Sequence, residues 1–96
     1  MTTRVRIEET TVGSIGSWRV TAGNLLVDNY HDGEGQQHRG PTIELGLYDG
    51  EDRAHGEPTV GVGSDVTIDG AVWRVVAVTP APGGDNGWIE LERTGG

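Results

Sequence analysis

The sequence predicts a single all-β domain, folded as a small antiparallel β-sandwich or a partly open β-barrel of six to seven strands with two long polar loops. In several short runs apolar residues recur at every second position, which is the spacing of a strand with one buried face. The 17 glycines among the 96 residues favour many turns over long helices. No stretch combines the length and the apolar spacing of a helix.

The strands are expected where alternation is clearest. They cover, in order, residues 4–8, 18–22, 42–47, 60–62, 66–68, 72–78 and 88–92. Residues 25–27 follow a Gly-Asn turn signal, and they either begin another strand or continue 18–22 beyond a bulge. Asp69-Gly70, between two β-rich runs, predicts a two-residue hairpin, because a type I′ turn needs positive φ at both positions. Val75-Val76 breaks the alternation and indicates a bulge or a strand buried on both faces.

The inward positions of these strands form the predicted core. Its members are Val5, Ile7, Trp18, Val20, Leu25, Ile43, Leu45, Leu47, Val66, Ile68, Trp73, Val75, Val78, Ile89 and Leu91. The domain is expected to span residues 1–93, with 94–96 as a flexible tail. Residues 31–40 and 49–58 are too polar and glycine-rich for strands, so each is expected to form a long loop, the usual place for function.

Charge restricts the classes of partner. Fifteen acidic residues against seven basic ones give a net charge of −8, which disfavours binding to phosphate backbones or anionic lipid. We therefore expect no nucleic-acid or membrane partner. The charge favours solubility, which is the simpler explanation of it, and the alternative is a protein partner that is itself basic. Cysteine is absent, which excludes disulfides and thiolate chemistry. The sequence shows neither a signal-peptide pattern nor a membrane span, so a cytoplasmic location is expected.

The richest group of chemically capable side chains lies in the 28–38 segment. Tyr30, His31, Asp32 and His38 are candidate ligand-binding residues, since His and Asp can also hold a divalent ion. The ligand spacing matches no known metal motif, and a solvated polar loop is the simpler interpretation. Trp88 is a further candidate, because it lies on the strand face opposite Ile89 and Leu91 and is expected to be exposed or half-covered.

No catalytic constellation is recognisable. The serines lack the Gly-x-Ser-x-Gly context of a nucleophile elbow, and no glycine-rich phosphate loop stands between a strand and a helix. We therefore predict a non-catalytic binding or accessory module that needs no cofactor and contacts another protein through its acidic loops or an edge strand. Two alternatives remain: a β-barrel that binds a small ligand or metal through the 28–38 loop, and a structural subunit of a larger assembly.

One stretch carries a resemblance. Gly63-Ser64-Asp65 leads into the strand at 66–68, the Asp69-Gly70 turn, and a strand that begins Val72-Trp73-Arg74. In this pattern and in its arginine-only basic composition, the chain loosely resembles short uncharacterised all-β proteins of GC-rich, actinobacterial-type genomes. The resemblance implies an all-β fold and no particular activity, and no functional residue follows from it.

Overall fold

The computed structural model describes residues 2–81 and 86–95, and within these ranges the chain forms eight strands and no helix. The strands are β1 (Arg4–Glu8), β2 (Val12–Ile15), β3 (Trp18–His31), β4 (Gln37–Tyr48), β5 (Thr59–Gly61), β6 (Asp65–Ile68), β7 (Ala71–Thr79) and β8 (Trp88–Gly95). All of their pairings are antiparallel. The predicted all-β class is confirmed, with β2 as a strand that the sequence pattern did not reveal.

The strands form two four-stranded sheets. One has the order β1-β8-β7-β6 and the other β2-β3-β4-β5. Buried apolar side chains from both sheets form a single cluster, as in a sandwich. Within the predicted core, Val5, Trp18 and Leu25 are only partly buried and the other residues are buried. Four further buried residues complete the cluster: Ile15, Ala22, Val60 and Ala71.

The long strand β3 passes through the Gly23-Asn24 signal without turning. Its register with β4 shifts between Gly23 and Leu26, and Asn24 has a φ of 52°. The shift is a bulge, so the second of the two interpretations of residues 25–27 is the correct one. Beyond the bulge β3 continues to His31, still paired with β4.

The prediction that residues 31–40 form one long loop is wrong. His31 pairs with Gln37, and the pairing continues to Gly40 opposite Asp28, so only residues 32–36 connect the strands. The polar composition misled the sequence interpretation, because this part of the hairpin extends past the core and has no buried face that would require alternating apolar residues. Residues 49–58 do form a largely irregular connection, interrupted by one bridge between Tyr48 and Ala54.

In the other sheet, the predicted Asp69-Gly70 turn and the predicted bulge are both confirmed. Asp69 and Gly70 have φ values of 51° and 78°, as a type I′ turn requires, and they join β6 to β7. The register of β7 with β8 shifts between Val75 and Ala77, which is the expected bulge. Strand β8 continues to Gly95, beyond the expected domain boundary at 93, and Gly96 lies outside the described residues. Residues 2–81 and 86–95 contain no helix long and apolar enough to cross a bilayer.

Candidate functional site

The tip of the β3–β4 hairpin brings together three of the five candidate residues. Tyr30 and His38 are cross-strand partners, and their rings stack with centroids 5.6 Å apart. Nε2 of His38 lies 2.7 Å from Oδ2 of Asp32. The other Asp32 oxygen accepts hydrogen bonds from the backbone N–H groups of Glu34 and Gln36, each at 2.9 Å. Both carboxylate oxygens are therefore engaged within the hairpin itself.

The other two candidates do not join this cluster. The side chain of His31 is exposed, and its backbone carbonyl accepts a hydrogen bond from the hydroxyl of Ser64 at 2.6 Å. Trp88 lies on β8 in the opposite sheet, where the guanidinium carbon of Arg6 is 4.0 Å from the ring centroid. This cation–π contact covers one face of the indole and gives Trp88 a structural partner.

A second loop repeats the same construction at the other end of β4. Nε2 of His55 lies 2.9 Å from Oδ2 of Asp49, and Oδ1 of Asp49 accepts hydrogen bonds from the N–H groups of Glu51 and Arg53. The ring of His55 stacks on that of Trp18, with centroids 4.4 Å apart. Both loops read Asp-Gly-Glu, with the His six residues after the Asp. This repeated spacing is the signal in the sequence that links the two loops.

The pKa is lowered in both Asp32 and Asp49. The hydrogen bond with His38 is the main cause that lowers the pKa of Asp32, and the backbone N–H of Gln36 adds to it. The pKa of Asp49 is lowered far below its usual range, first by the hydrogen bond with His55 and then by the N–H of Arg53. Both carboxylates are therefore ionised at neutral pH, and each holds its loop closed.

The polar side chains of the two loops are engaged with one another. Across residues 2–81 and 86–95, no three His, Cys, Asp or Glu side chains lie close enough together to hold a metal ion. Within the same ranges, the hydrogen bonds of the His38 and His55 rings go to carboxylates and not to a hydroxyl nucleophile. The arrangement is that of a braced turn, which presents a fixed backbone shape.

A larger feature lies between the two sheets at one side of the sandwich. A cavity of 580 Å³ opens between β6 and residues 55–58. Strand β6 is the last strand of its sheet, and residues 54–58 run along β4 on the way to β5. The cavity is lined by Leu47, His55, Gly56, Glu57, Pro58, Asp65, Val66 and Thr67. We call this cavity the β6 cleft.

Local backbone pairing builds the wall of the β6 cleft opposite β6. The N–H of Leu45 donates to the carbonyl of Pro58 at 2.9 Å, and the N–H of Leu47 donates to the carbonyl of Gly56 at 3.1 Å. The N–H of His55 returns a bond to the carbonyl of Leu47 at 2.8 Å. Residues 55–58 are thus fixed to β4 without forming a regular strand, and the Asp49 loop closes the end of this wall.

The charges around the β6 cleft are mostly negative. Asp65 accepts hydrogen bonds from the guanidinium of Arg74 at 2.9 and 3.3 Å. Glu57 has no ion-pair partner within the described parts of the chain. Among the described residues that line the cleft, none is an Arg. The cleft therefore places the exposed carboxylate of Glu57 beside the largely buried apolar side chains of Leu47 and Val66.

The first loop limits the β6 cleft at its other end. The N–H of Gly33 donates to the carbonyl of Gly63 at 2.8 Å. A Cβ at Gly33 would lie 2.1 Å from a carboxylate oxygen of Asp65, so the loop backbone packs directly on that side chain. The two braced loops thus lie at the two ends of the cleft, and the sequence could not show this, because it depends on how the sheets stack.

Comparison with known proteins adds no relative. No protein-family model, curated protein or solved structure matches the chain. The resemblance to short actinobacterial all-β proteins stays a prediction. The β6 cleft and the two loops at its ends are therefore the candidate functional site.

Proposed function

We propose that this protein is a non-catalytic binding module that takes a basic segment of a partner protein into the β6 cleft. The observation that carries the proposal is the coincidence of three features at one place: the end of a sheet, a cavity of 580 Å³, and a Glu57 carboxylate without an ion-pair partner in the described residues. A Lys or Arg side chain of the partner would pair with this exposed carboxylate.

The whole protein supports the same choice of partner. Its net charge of −8 attracts basic molecules over long range and speeds their encounter, whereas it repels acidic ones. The apolar part of the lining, at Leu47, Pro58 and Val66, suits the aliphatic stem of Lys or Arg. A peptide that is basic and partly apolar therefore fits the cleft better than a highly charged polycation.

The test uses two short peptides and ¹⁵N-labelled protein. Acetyl-Val-Arg-Val-Arg-Val-amide is the probe, and acetyl-Val-Glu-Val-Glu-Val-amide is its matched acidic control. We expect the basic peptide to shift amide signals of residues 55–57 and 65–67, and the acidic peptide to shift none. The affinity should fall as salt rises from about 0.01 M to about 1 M, because screening shortens the range of the attraction.

A pair of variants tests the role of the carboxylate. Glu57→Gln should weaken binding of the basic peptide, whereas Glu90→Gln removes one charge on β8, away from the cleft lining, and should change it little. Equal effects of the two variants would show that only net charge matters. Shifts scattered over the acidic surface, or none at all, would overturn the proposal.

A further inference from the structure

The register of the β6–β7 hairpin determines which backbone groups of β6 are available for a partner. Ile68 and Ala71 flank the two-residue turn, and such flanking residues exchange both of their hydrogen bonds. Because the bonded pairs alternate along an antiparallel ladder, Val66 is bonded to Trp73 in the same way. The next bonded position is confirmed by the N–H of Val75, which donates to the carbonyl of Ser64 at 2.9 Å.

The intervening residues therefore direct their N–H and C=O groups away from β7. These residues are Asp65 and Thr67, which pair with Arg74 and Val72 at the non-bonded positions. Both are exposed, and both line the β6 cleft. Since β6 is the last strand of its sheet, the outward groups of these two residues form an edge beside the cleft that has no backbone partner within residues 2–81 and 86–95.

Resting on the proposed function, we propose that the basic segment binds as an added β-strand on β6. Its backbone pairs with the outward N–H and C=O groups of Asp65 and Thr67, as in β-augmentation. Its alternate side chains enter the cleft beside Val66, because the added strand continues the pleat of β6. There a Lys or Arg stem contacts Leu47 and Pro58 and extends its charged group to Glu57.

The surroundings fix the length of the added strand. Strand β6 has four residues, and the Gly33 loop packs on Asp65 at one end while the Asp69-Gly70 turn closes the other. A segment that pairs with β6 alone therefore spans about four residues, or about 13 Å at the usual rise of a strand. The partner is a short extended stretch of chain, and a second copy of this protein is disfavoured because each copy carries a charge of −8.

Amide hydrogen exchange in the presence of acetyl-Val-Arg-Val-Arg-Val-amide tests the binding mode. We expect exchange at Asp65 and Thr67 to slow by about tenfold at saturation, since their outward N–H groups become bonded. Exchange at Val66 and Ile68, which are already bonded to β7, serves as the internal control. Binding without slower exchange at Asp65 and Thr67 would overturn strand addition and leave the proposed acidic cleft intact. Slow exchange without peptide, together with self-association in sedimentation, would instead show pairing between two copies.

N-methylation of the peptide gives a second test that leaves the protein unchanged. A methyl group on a backbone nitrogen that faces β6 removes a hydrogen bond, whereas one on the adjacent residue faces solvent. As the methyl group is moved along the peptide one residue at a time, we expect weaker binding at every second position. At the positions between, we expect the affinity to be unchanged. Equal affinity for all methylated peptides would overturn strand addition, and the Glu57→Gln variant would still report separately on the cleft.

Discussion

Oδ2 of Asp49 lies 2.9 Å from Nε2 of His55, and Oδ2 of Asp32 lies 2.7 Å from Nε2 of His38. In each loop the same carboxylate also accepts two backbone N–H groups, so one side chain organises the whole turn. The two loops lie at the two ends of the β6 cleft. If the cleft binds a partner as proposed, braced loops at its ends would favour that binding, because a preformed site loses less conformational entropy when it is occupied.

Removal of a loop carboxylate should destabilise the protein. Asp49→Ala leaves the N–H groups of Glu51 and Arg53 without their acceptor, whereas Asp49→Asn keeps one carbonyl oxygen for them. We expect Asp49→Ala to lower the melting temperature more than Asp49→Asn in circular-dichroism melts. Glu51→Gln, which affects an exposed ion pair with Arg53, is the control and should have little effect. Equal melting temperatures for Asp49→Ala and Glu51→Gln would contradict the bracing role.

The two lowered pKa values predict how stability depends on pH. A carboxyl group whose pKa is lowered in the folded state contributes its full stabilisation of the fold at pH values above its unfolded pKa of 3.8. That contribution is lost as the pH falls toward the pKa in the folded state. The unfolded chain then binds more protons than the folded one. Acid should therefore destabilise the protein below about pH 4 in urea unfolding.

The double variant Asp32→Asn/Asp49→Asn isolates this contribution. Near neutral pH its free energy of unfolding should be lower than that of the native protein. The difference between the two free energies should become smaller as the pH falls below about 4. The pair Glu51→Gln/Glu57→Gln removes the same number of charges and serves as the control. If the difference in free energy of unfolding between the native protein and the Asp variant stays constant as the pH falls, the two loops do not cause the acid sensitivity.

Tyr30 and Gly61 should show strong coupling. A Cβ at Gly61 would lie 2.4 Å from the Tyr30 ring, whose hydroxyl donates to the carbonyl of Val62 at 2.9 Å. Gly61→Ala should cost about 1–3 kcal/mol, as overpacking of a tight contact does. In a Tyr30→Ala background the cost should largely disappear, because the ring is absent.

Gly23→Ala is the matched control for this cycle. A Cβ at Gly23 meets nothing within 4 Å, so the substitution should be neutral or stabilise by about 0.4–1 kcal/mol through the unfolded chain. Urea unfolding of the four combinations of Tyr30→Ala and Gly61→Ala measures the coupling. A similar cost of Gly61→Ala in both backgrounds would show that the ring does not lie over Gly61 in solution.

The sequence predicted those parts of the fold that local chemistry specifies. Asp69-Gly70 encodes its turn through two positive φ angles, and Val75-Val76 encodes a bulge through broken alternation. Residues 37–40 were missed, because they pair with β3 outside the core and need no apolar face. Strand β2 was missed because its Val12 and Ser14 are exposed and only Ile15 is buried.

The candidate site was predictable only in part. Tyr30, Asp32 and His38 do meet, since all three belong to one hairpin. The β6 cleft joins residues 55–58 of one sheet to residues 65–67 of the other, and no local pattern specifies how two sheets stack. The repeated Asp-Gly-Glu-x-x-x-His spacing was visible in the sequence, but its meaning depends on the positions of the two loops around the cleft.

Substitution of Trp73 tests whether its buried indole N–H contributes to stability. Its side chain is buried, and its Nε1 is a buried polar atom without a hydrogen-bond partner within the described residues. Trp73→Phe removes this donor and keeps an aromatic ring, so we expect it to cost clearly less than removal of the whole ring. Trp73→Ala should cost about 3–5 kcal/mol, because it removes the ring and leaves a cavity.

Urea unfolding of both variants shows whether the indole N–H of Trp73 is hydrogen-bonded in solution. A small cost for Trp73→Phe shows that the N–H contributes little, since an unpartnered buried donor is itself destabilising. A cost close to that of Trp73→Ala would contradict this, and would indicate that the N–H is hydrogen-bonded in solution.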